Sequence, residues 1–193
     1  MNVTDQQLIT ETLEGNTKSF GVLVGRYQDF VFTIIVRMVK VKEEAEEVAQ
    51  DTFIKAFESL ASFRGESQFS SWLYSIAYRK ALDRIKKNKR QRTTEFLDET
   101  TETSFAAIEN GLHYLEAKEK SQKINDCIMK LNEEEAAIIT FYYFEEQSVR
   151  EISAITNLTE DNVKVKLYRS RKKLFSLLQD YFKPELKQNG TDR

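Results

Sequence analysis

An all-α fold is predicted for this chain on three observations. Apolar residues recur at three- and four-residue spacing through most of the sequence, as on the buried face of a helix. No segment alternates apolar and polar residues with period two for long enough to compete as a strand. Gly and Pro are scarce, 6 and 1 in 193 residues, too few for a chain of many short strands and turns. The expected architecture is two small helical domains, an N-terminal helical bundle (1–90) and a C-terminal helix-turn-helix domain (119–184). A flexible acidic linker (91–118) joins them, and a disordered tail (185–193) follows.

The first predicted helix starts at an N-cap, Thr4 or Asp5, and ends at Gly15, with Leu8, Ile9 and Leu13 on one side. The second carries Phe20, Leu23, Val24, Tyr27, Val31, Ile34, Ile35 and Met38. Its additional apolar residues, Val22, Phe30, Phe32 and Val36, widen the stripe until the helix must be central. Gly21 and Gly25 weaken it locally and are expected to admit close packing. The third repeats the spacing with Ala45, Val48, Ala49, Thr52, Phe53, Ala56, Phe57 and Leu60. After a loop over Ser62 to Gln68, the fourth carries Phe69, Trp72, Leu73, Ile76, Ala77, Leu82 and Ile85.

From Gln91 to Gly111 the chain is rich in Thr, Glu and Asp and has no sustained apolar stripe, which reads as a linker between independently placed domains. Four further helical segments follow. Ile124, Cys127, Ile128 and Leu131 mark the first. Asn132 with Glu135 resembles a capping box and opens the second, which holds Ala136, Ile139, Phe141 and Tyr143. Ser148 and Glu151 form an S-x-x-E box at the head of a short third helix. The chain turns at Thr156-Asn157-Leu158, and Thr159 caps the last helix, whose buried stripe is Val163, Leu167, Leu174 and Leu178.

Composition excludes several functions. A single Cys (Cys127) gives no disulfide framework, and with a single His (His113) it cannot supply an ordinary zinc ligand set. No phosphate-cradling Gly-rich loop and no metalloprotease or nucleophile-elbow motif is present. No catalytic residue, metal or cofactor is therefore expected. Met1 to Leu13 contains no apolar run of a signal peptide. The longest apolar stretch, Phe30 to Val39, is short of the ~20 residues a bilayer requires, so a cytosolic protein without membrane insertion is expected.

With 29 Lys+Arg against 31 Asp+Glu the net charge is only −2, yet the charges are sorted. Lys164, Lys166, Arg169, Arg171, Lys172 and Lys173 cluster without an acid between them, on the second helix of a helix-turn-helix pattern. Such a cluster releases counterions from phosphates, and the helix start, with Asn162, Lys164 and Lys166, is where base edges are reached. Arg169, Arg171 and Lys172 would hold the backbone. A second basic run, Arg79 to Arg92, holds Asp83 as its one acid and follows an aromatic entry containing Phe63, Phe69 and Trp72. That combination suits unpaired bases, although aromatics at helical spacing also suit a core. An acidic face, Glu43 to Asp51, reads either as a solvated surface or as a docking surface for a basic partner.

Four stretches, in order, carry a family resemblance: FGVLVGRYQDFVF, EEAEEVAQDTFIKAF, FRGESQFSSWLYSIAYRKALDRIKK and LNEEEAAIITFYYFEEQSVREISAITNLTEDNVKVKLYRSRKKL. They cover about two-thirds of the chain. The whole resembles a bacterial RNA polymerase sigma factor of the extracytoplasmic-function group within the sigma-70 family.

The resemblance implies a role by position. The helix with Glu46, Glu47, Gln50, Asp51 and Phe53 is similar to the one that binds the clamp coiled coil of the largest polymerase subunit. The loop Phe63, Arg64, Gly65, Glu66 and Ser67 resembles the pocket that captures an unpaired −10 base. Trp72, Arg79, Lys80, Asp83, Arg84, Lys86 and Lys87 on the following helix belong to the same −10 set. The last helix, through Asn162, Lys164, Lys166, Arg169, Arg171 and Lys172, resembles the reader of the −35 duplex.

Partners implied are core polymerase (clamp and flap), promoter DNA and an anti-sigma factor, in the bacterial cytoplasm, in a stress or envelope response. Arg79 stands where the family often has Asn, and Asn162 and Val165-Lys166 stand where it often has Thr and Ser-Arg. Two other readings of the same residues are a stand-alone helix-turn-helix regulator and a helical interaction adaptor.

Overall fold

The protein is described here by a computed structural model, which describes residues 3–91 and 117–188. Among the described residues every regular element is helical. The N-terminal half comprises α1 (Asp5–Leu13), α2 (Thr17–Val39), α3 (Lys42–Glu58), a 3₁₀ turn (Leu60–Ser62) and α4 (Phe69–Gln91). The C-terminal half comprises α5 (Ala117–Met129), α6 (Glu133–Phe144), α7 (Val149–Thr156) and α8 (Glu160–Gln188).

Local chemistry sets the boundaries. Thr4, Asn132 and Ser148 each accept from the backbone N–H three residues on, and Gln7, Glu135 and Glu151 reach back to complete capping boxes. Asn157 ends α7 in the left-handed region at φ 60°, and Thr159 Oγ1 then accepts from Asn162 N at 3.3 Å. That two-cap turn aims α8 across α7, the helix-turn-helix geometry expected from the sequence. Helix α8 runs through Gln188, past the expected start of the tail at 185; residues 189–193, His113, Gly111 and most of the linker lie outside the described residues.

Helix α2 is central, packed by α1, α3 and α4. Its length and apolarity match a membrane span, but Leu23, Val31, Ile34, Ile35 and Met38 are buried among neighbouring helices. Gly21 and Gly25 do not serve close packing. Both are exposed, with no atom within 4 Å of where a Cβ would stand. The apolar residues that widen the stripe explain this, because they give α2 contacts on other faces.

One of those contacts is with α6. Residues Ala136 to Phe141 are buried consecutively, on every face of the helix. A helix apolar all round needs partners on opposite sides, and α6 has α2 on one and α8 on the other. Helix α7 packs in turn on α4. The two halves thereby share one apolar cluster, in which Phe141 meets Phe30 and Tyr74 with ring centroids 6.2 and 5.9 Å apart.

Candidate nucleic-acid and partner-docking interfaces

Three surfaces carry the residues singled out in the sequence. The first is built by the turn from the 3₁₀ segment into α4. Gly65 adopts φ 72°, a conformation costly for other residues, and the tight loop leaves Arg64 and Glu66 exposed, 3.9 Å apart. Beneath it lies an open pocket of about 260 Å³ lined by Phe63, Gly65, Ser67, Gln68, Phe69 and Tyr27, among others. Phe63 and Phe69 are its aromatic side with Tyr27, and Trp72 packs behind Phe63 and Phe69, with centroids 5.4 to 5.8 Å apart among these three rings. Phe69 is core, whereas Phe63 and Trp72 are only half-buried.

Tyr27 and Asp5 are pocket residues that the sequence reading missed. They come from α2 and α1, and only the tertiary fold brings them to the loop. The Tyr27 hydroxyl donates to Asp5, and Arg26 pairs with the same carboxylate at 2.6 Å. Burial first, and then that hydrogen bond, push the Tyr27 hydroxyl well above its ordinary pKa, so at neutral pH it is a neutral ring with a fixed orientation.

Along α4, Trp72, Arg79, Asp83, Lys86 and Arg90 follow at three- to seven-residue intervals and share one side of the helix. Arg79, Asp83, Lys86, Lys87 and Arg90 are exposed, and Asp83, Lys86, Lys87 and Arg90 line an open depression. Lys80 is half-buried, and Arg84 is turned toward α3. Arg84 Nη2 reaches Glu47 Oε2 at 2.8 Å and Nη1 lies 3.9 Å from Glu44 Oε2. The structure therefore turns Arg84 away from the exposed residues of the predicted −10 set.

The second surface is α3. Glu46, Glu47, Gln50 and Asp51 are exposed as a group, while Phe53 is half-buried against the core. Ile54 and Phe57 are the exposed apolar residues here, at 57% and 44%, and the sequence reading named neither as a contact. With Glu43, Glu46, Glu47 and Gln50 they make a narrow apolar strip edged by acids.

The third is α8. Val163, Leu167 and Ser170 face inward. The opposite side presents Asp161, Asn162, Val165, Tyr168 and Arg169, all exposed, with half-buried Lys172 beside them. Tyr168 is 63% exposed, the most exposed large apolar side chain among the described residues of this helix, and Val165 is 47% exposed; the sequence reading named neither as a contact. Lys166 lies on the flank, paired with Glu134 Oε2 at 2.5 Å, and Lys173 pairs with Glu135 at 3.5 Å. Lys164 pairs with Asp161 at 3.1 Å, and Arg171 lies 5.2 Å from the Tyr142 ring. An exposed row of amide, apolar and guanidinium groups flanked by lysines is what a major groove accepts: hydrogen-bonding to base edges, methyl contact, and phosphate pairing. Among the described residues no three His, Cys, Asp or Glu side chains converge to hold a metal ion.

Family models for Sigma-70 region 2 and for Sigma-70, region 4 match residues 23–91 and 121–174. The chain is 30% identical to the RNA polymerase sigma-H factor of Pseudomonas aeruginosa over 183 residues, covering 91% of this chain and 94% of the relative. It is 31% identical to the ECF RNA polymerase sigma factor SigW of Bacillus subtilis over 189 residues, covering 93% and 100%. Among solved structures it is similar to CnrH in complex with the cytosolic domain of CnrY, with TM-score 0.60, 22% identity and coverage of 91% and 97%. It is also similar to the sigma factor RpoE in complex with the anti-sigma factor NepR from Bartonella quintana, with TM-score 0.65, 20% identity and coverage of 84% and 98%.

Proposed function

The chain belongs to the sigma-70 family, in its extracytoplasmic-function group, and we propose that its three surfaces divide promoter initiation among themselves. As a member of that family it is a transcription initiation factor that directs core RNA polymerase to promoters. In our reading α3 docks on polymerase through Ile54, Phe57 and the acids Glu46, Glu47 and Asp51. The Phe63–Ser67 loop accepts a base flipped out of the −10 element. The exposed side of α4 from Arg79 to Arg90 tracks the phosphates on either side of that base. Helix α8 sits in the −35 major groove with Asn162, Val165 and Tyr168 at the base edges, and Lys164, Lys166, Arg169, Arg171 and Lys172 toward the backbone.

The observation that carries this reading is the pocket. It is open and carries aromatic rings in its lining, in our reading it admits a single base, and it lies at the start of α4, the helix that bears the exposed cations from Arg79 to Arg90. Extracting a base costs a few kcal/mol, and stacking on aromatic rings returns ~1–3 kcal/mol per base. The work of opening is thus binding work, and the chain contributes no bond chemistry of its own. Anti-sigma control fits one of the solved neighbours, the sigma factor RpoE held by the anti-sigma factor NepR. The test is run-off transcription with core polymerase and a genomic promoter library. Discrete start sites that require both proteins are expected; equal DNA shifts with and without core polymerase would instead identify a stand-alone regulator.

A further inference from the structure

Most polar groups in the pocket beneath the Phe63–Ser67 loop can meet a base either way. Ser67 and Ser70 carry rotatable hydroxyls, and the amides of Gln6 and Gln68 are exposed and hold both donors and an acceptor. Asp5 and Tyr27 differ, because their hydrogens are already committed. The Tyr27 hydroxyl gives its single hydrogen to Asp5 Oδ2, and Arg26 Nη1 donates to Asp5 Oδ1 at 2.6 Å. Arg26 itself is not among the residues that line the pocket. What the Tyr27–Asp5 pair has left to offer is lone pairs, so this part of the lining accepts hydrogen bonds and cannot donate them.

The polarity of the pair is held from several sides. The Tyr27 ring packs against Phe69 and Tyr74, with centroids 5.6 and 6.3 Å apart. Burial, and then the bond to Asp5, keep the hydroxyl protonated at neutral pH. Asp5 is the first residue of α1, directly after the Thr4 cap, and Arg26 also donates to the Val3 carbonyl, which ties the head of α1 to α2. Leu8 and Ile9 bury the inner side of the same helix. Asp5 also precedes residues 23–91, the stretch matched by Sigma-70 region 2.

We propose that the Tyr27–Asp5 pair is the specificity-determining element of the pocket, selecting a flipped base that carries an exocyclic amino group and rejecting thymine. The proposal rests on the base-capture reading above and adds which base is captured. Stacking on Phe63 and Phe69 is nearly indifferent to base identity, because every base has a π-face, so discrimination falls to the polar lining. Cytosine, adenine and guanine each bring an amino group whose hydrogens the pair can accept. Thymine brings two carbonyl oxygens with one N–H between them. Its hydrogen can reach the pair only with a carbonyl oxygen alongside, facing lone pairs. A carbonyl desolvated against acceptors loses water and gains no hydrogen bond, and a mismatch of that kind discriminates more strongly than size does.

The test uses the full chain assembled with core polymerase. The probe is a single-stranded oligonucleotide carrying the −10 element of a promoter found by run-off transcription. An abasic site walked along it locates the captured position as the one whose loss weakens binding most. At that position cytosine is compared with deoxyuridine, whose pairing edge has a carbonyl in place of the amino group and lacks the methyl group of thymine. Cytosine is expected to bind about tenfold tighter or more. Asp5→Asn keeps the shape of the side chain but brings N–H groups into the pair, and is expected to lower that ratio by about fivefold or more. The ratio is taken within one protein, so it does not depend on how much of the variant is folded. Equal binding of the two bases by the unsubstituted chain, or an Asp5→Asn chain that weakens both and keeps the ratio, overturns the proposal. An abasic walk that finds no position of greater loss overturns base capture itself, so the two failures are distinguishable.

Discussion

Arg84 on α4 and Glu47 on α3 are joined, with Nη2 and Oε2 2.8 Å apart, so a cation assigned from sequence to promoter DNA is paired with an acid assigned to polymerase. The Arg84 side chain is 20% exposed and Glu47 is 66% exposed, which places the pair at the edge of the α3–α4 packing. It ties α3 to α4 at that edge. A half-exposed pair of this kind contributes only ~0.2–1 kcal/mol to stability.

Arg84→Ala is therefore expected to weaken core-polymerase affinity, measured by fluorescence anisotropy, several-fold. It should change affinity of the assembled holoenzyme for a single-stranded −10 oligonucleotide by less than twofold. The reverse pattern would return Arg84 to the DNA face.

The pocket makes a separate prediction. Phe63→Ala removes a half-buried ring from its wall and should cost ~1–3 kcal/mol in capture of an unpaired base, about 5- to 150-fold in affinity for the same oligonucleotide. Binding to a −35 duplex should not change. Permanganate footprinting of the melted region at a promoter gives the same result in a second form, as a smaller open fraction.

On α8 the exposed and paired cations should behave differently. Arg169 faces outward, whereas Lys166 must leave Glu134 to reach a phosphate. Arg169→Ala should reduce the salt dependence of −35 duplex binding by about one phosphate contact, and Lys166→Ala by less. Tyr168→Ala should relax sequence preference more than it lowers affinity, since an exposed ring contributes through apolar contact with base edges. Salt titrations on matched and mismatched duplexes separate these outcomes.

Lys40 provides a stability test with a defined pH window. It ends α2 at φ 68°, and its Nζ is buried without a hydrogen-bond partner. Burial lowers its pKa to about 8, with Arg37 and Lys173 acting in the same direction and Glu133 opposing. The unfolded chain binds this proton up to a higher pH than the folded one, so the penalty is full below pH 8 and is relieved as pH rises above it.

Lys40→Gly removes both the left-handed strain, ~0.5–1 kcal/mol, and the buried ammonium. It should raise the urea midpoint at pH 7 and raise it less at pH 9.5. An equal gain at both pH values would show that backbone strain alone is responsible. Above pH 10 the raised tyrosine hydroxyls Tyr27, Tyr74 and Tyr78 dominate, because the unfolded chain ionises them first.

The cost of burying Glu133 is outweighed by Lys89, by its own backbone and by Lys40, so its carboxyl stays ionised below the usual carboxylate range. This acid illustrates what was and was not legible. Its place in the first turn of α6 follows from Asn132 and the capping box, a matter of neighbours along the chain. Its partner Lys89 is 44 residues away, and no spacing rule connects them.

The same division holds for the whole molecule. The sequence by itself determined the helices, their caps and the helix-turn-helix, because each depends on residues three or four apart. It also determined the family, through four stretches kept in order, and the sorting of charge behind a net of −2. The tertiary structure alone decided that Tyr27 and Asp5 complete the pocket beneath the Phe63–Ser67 loop, and that Ile54 and Phe57 face outward. It also turned Arg84 and Lys166 toward acids and buried Ala136 to Phe141 on every side. Those outcomes depend on which helix packs on which. Packing is settled by the summed burial of many side chains distant in sequence, so no local pattern encodes it.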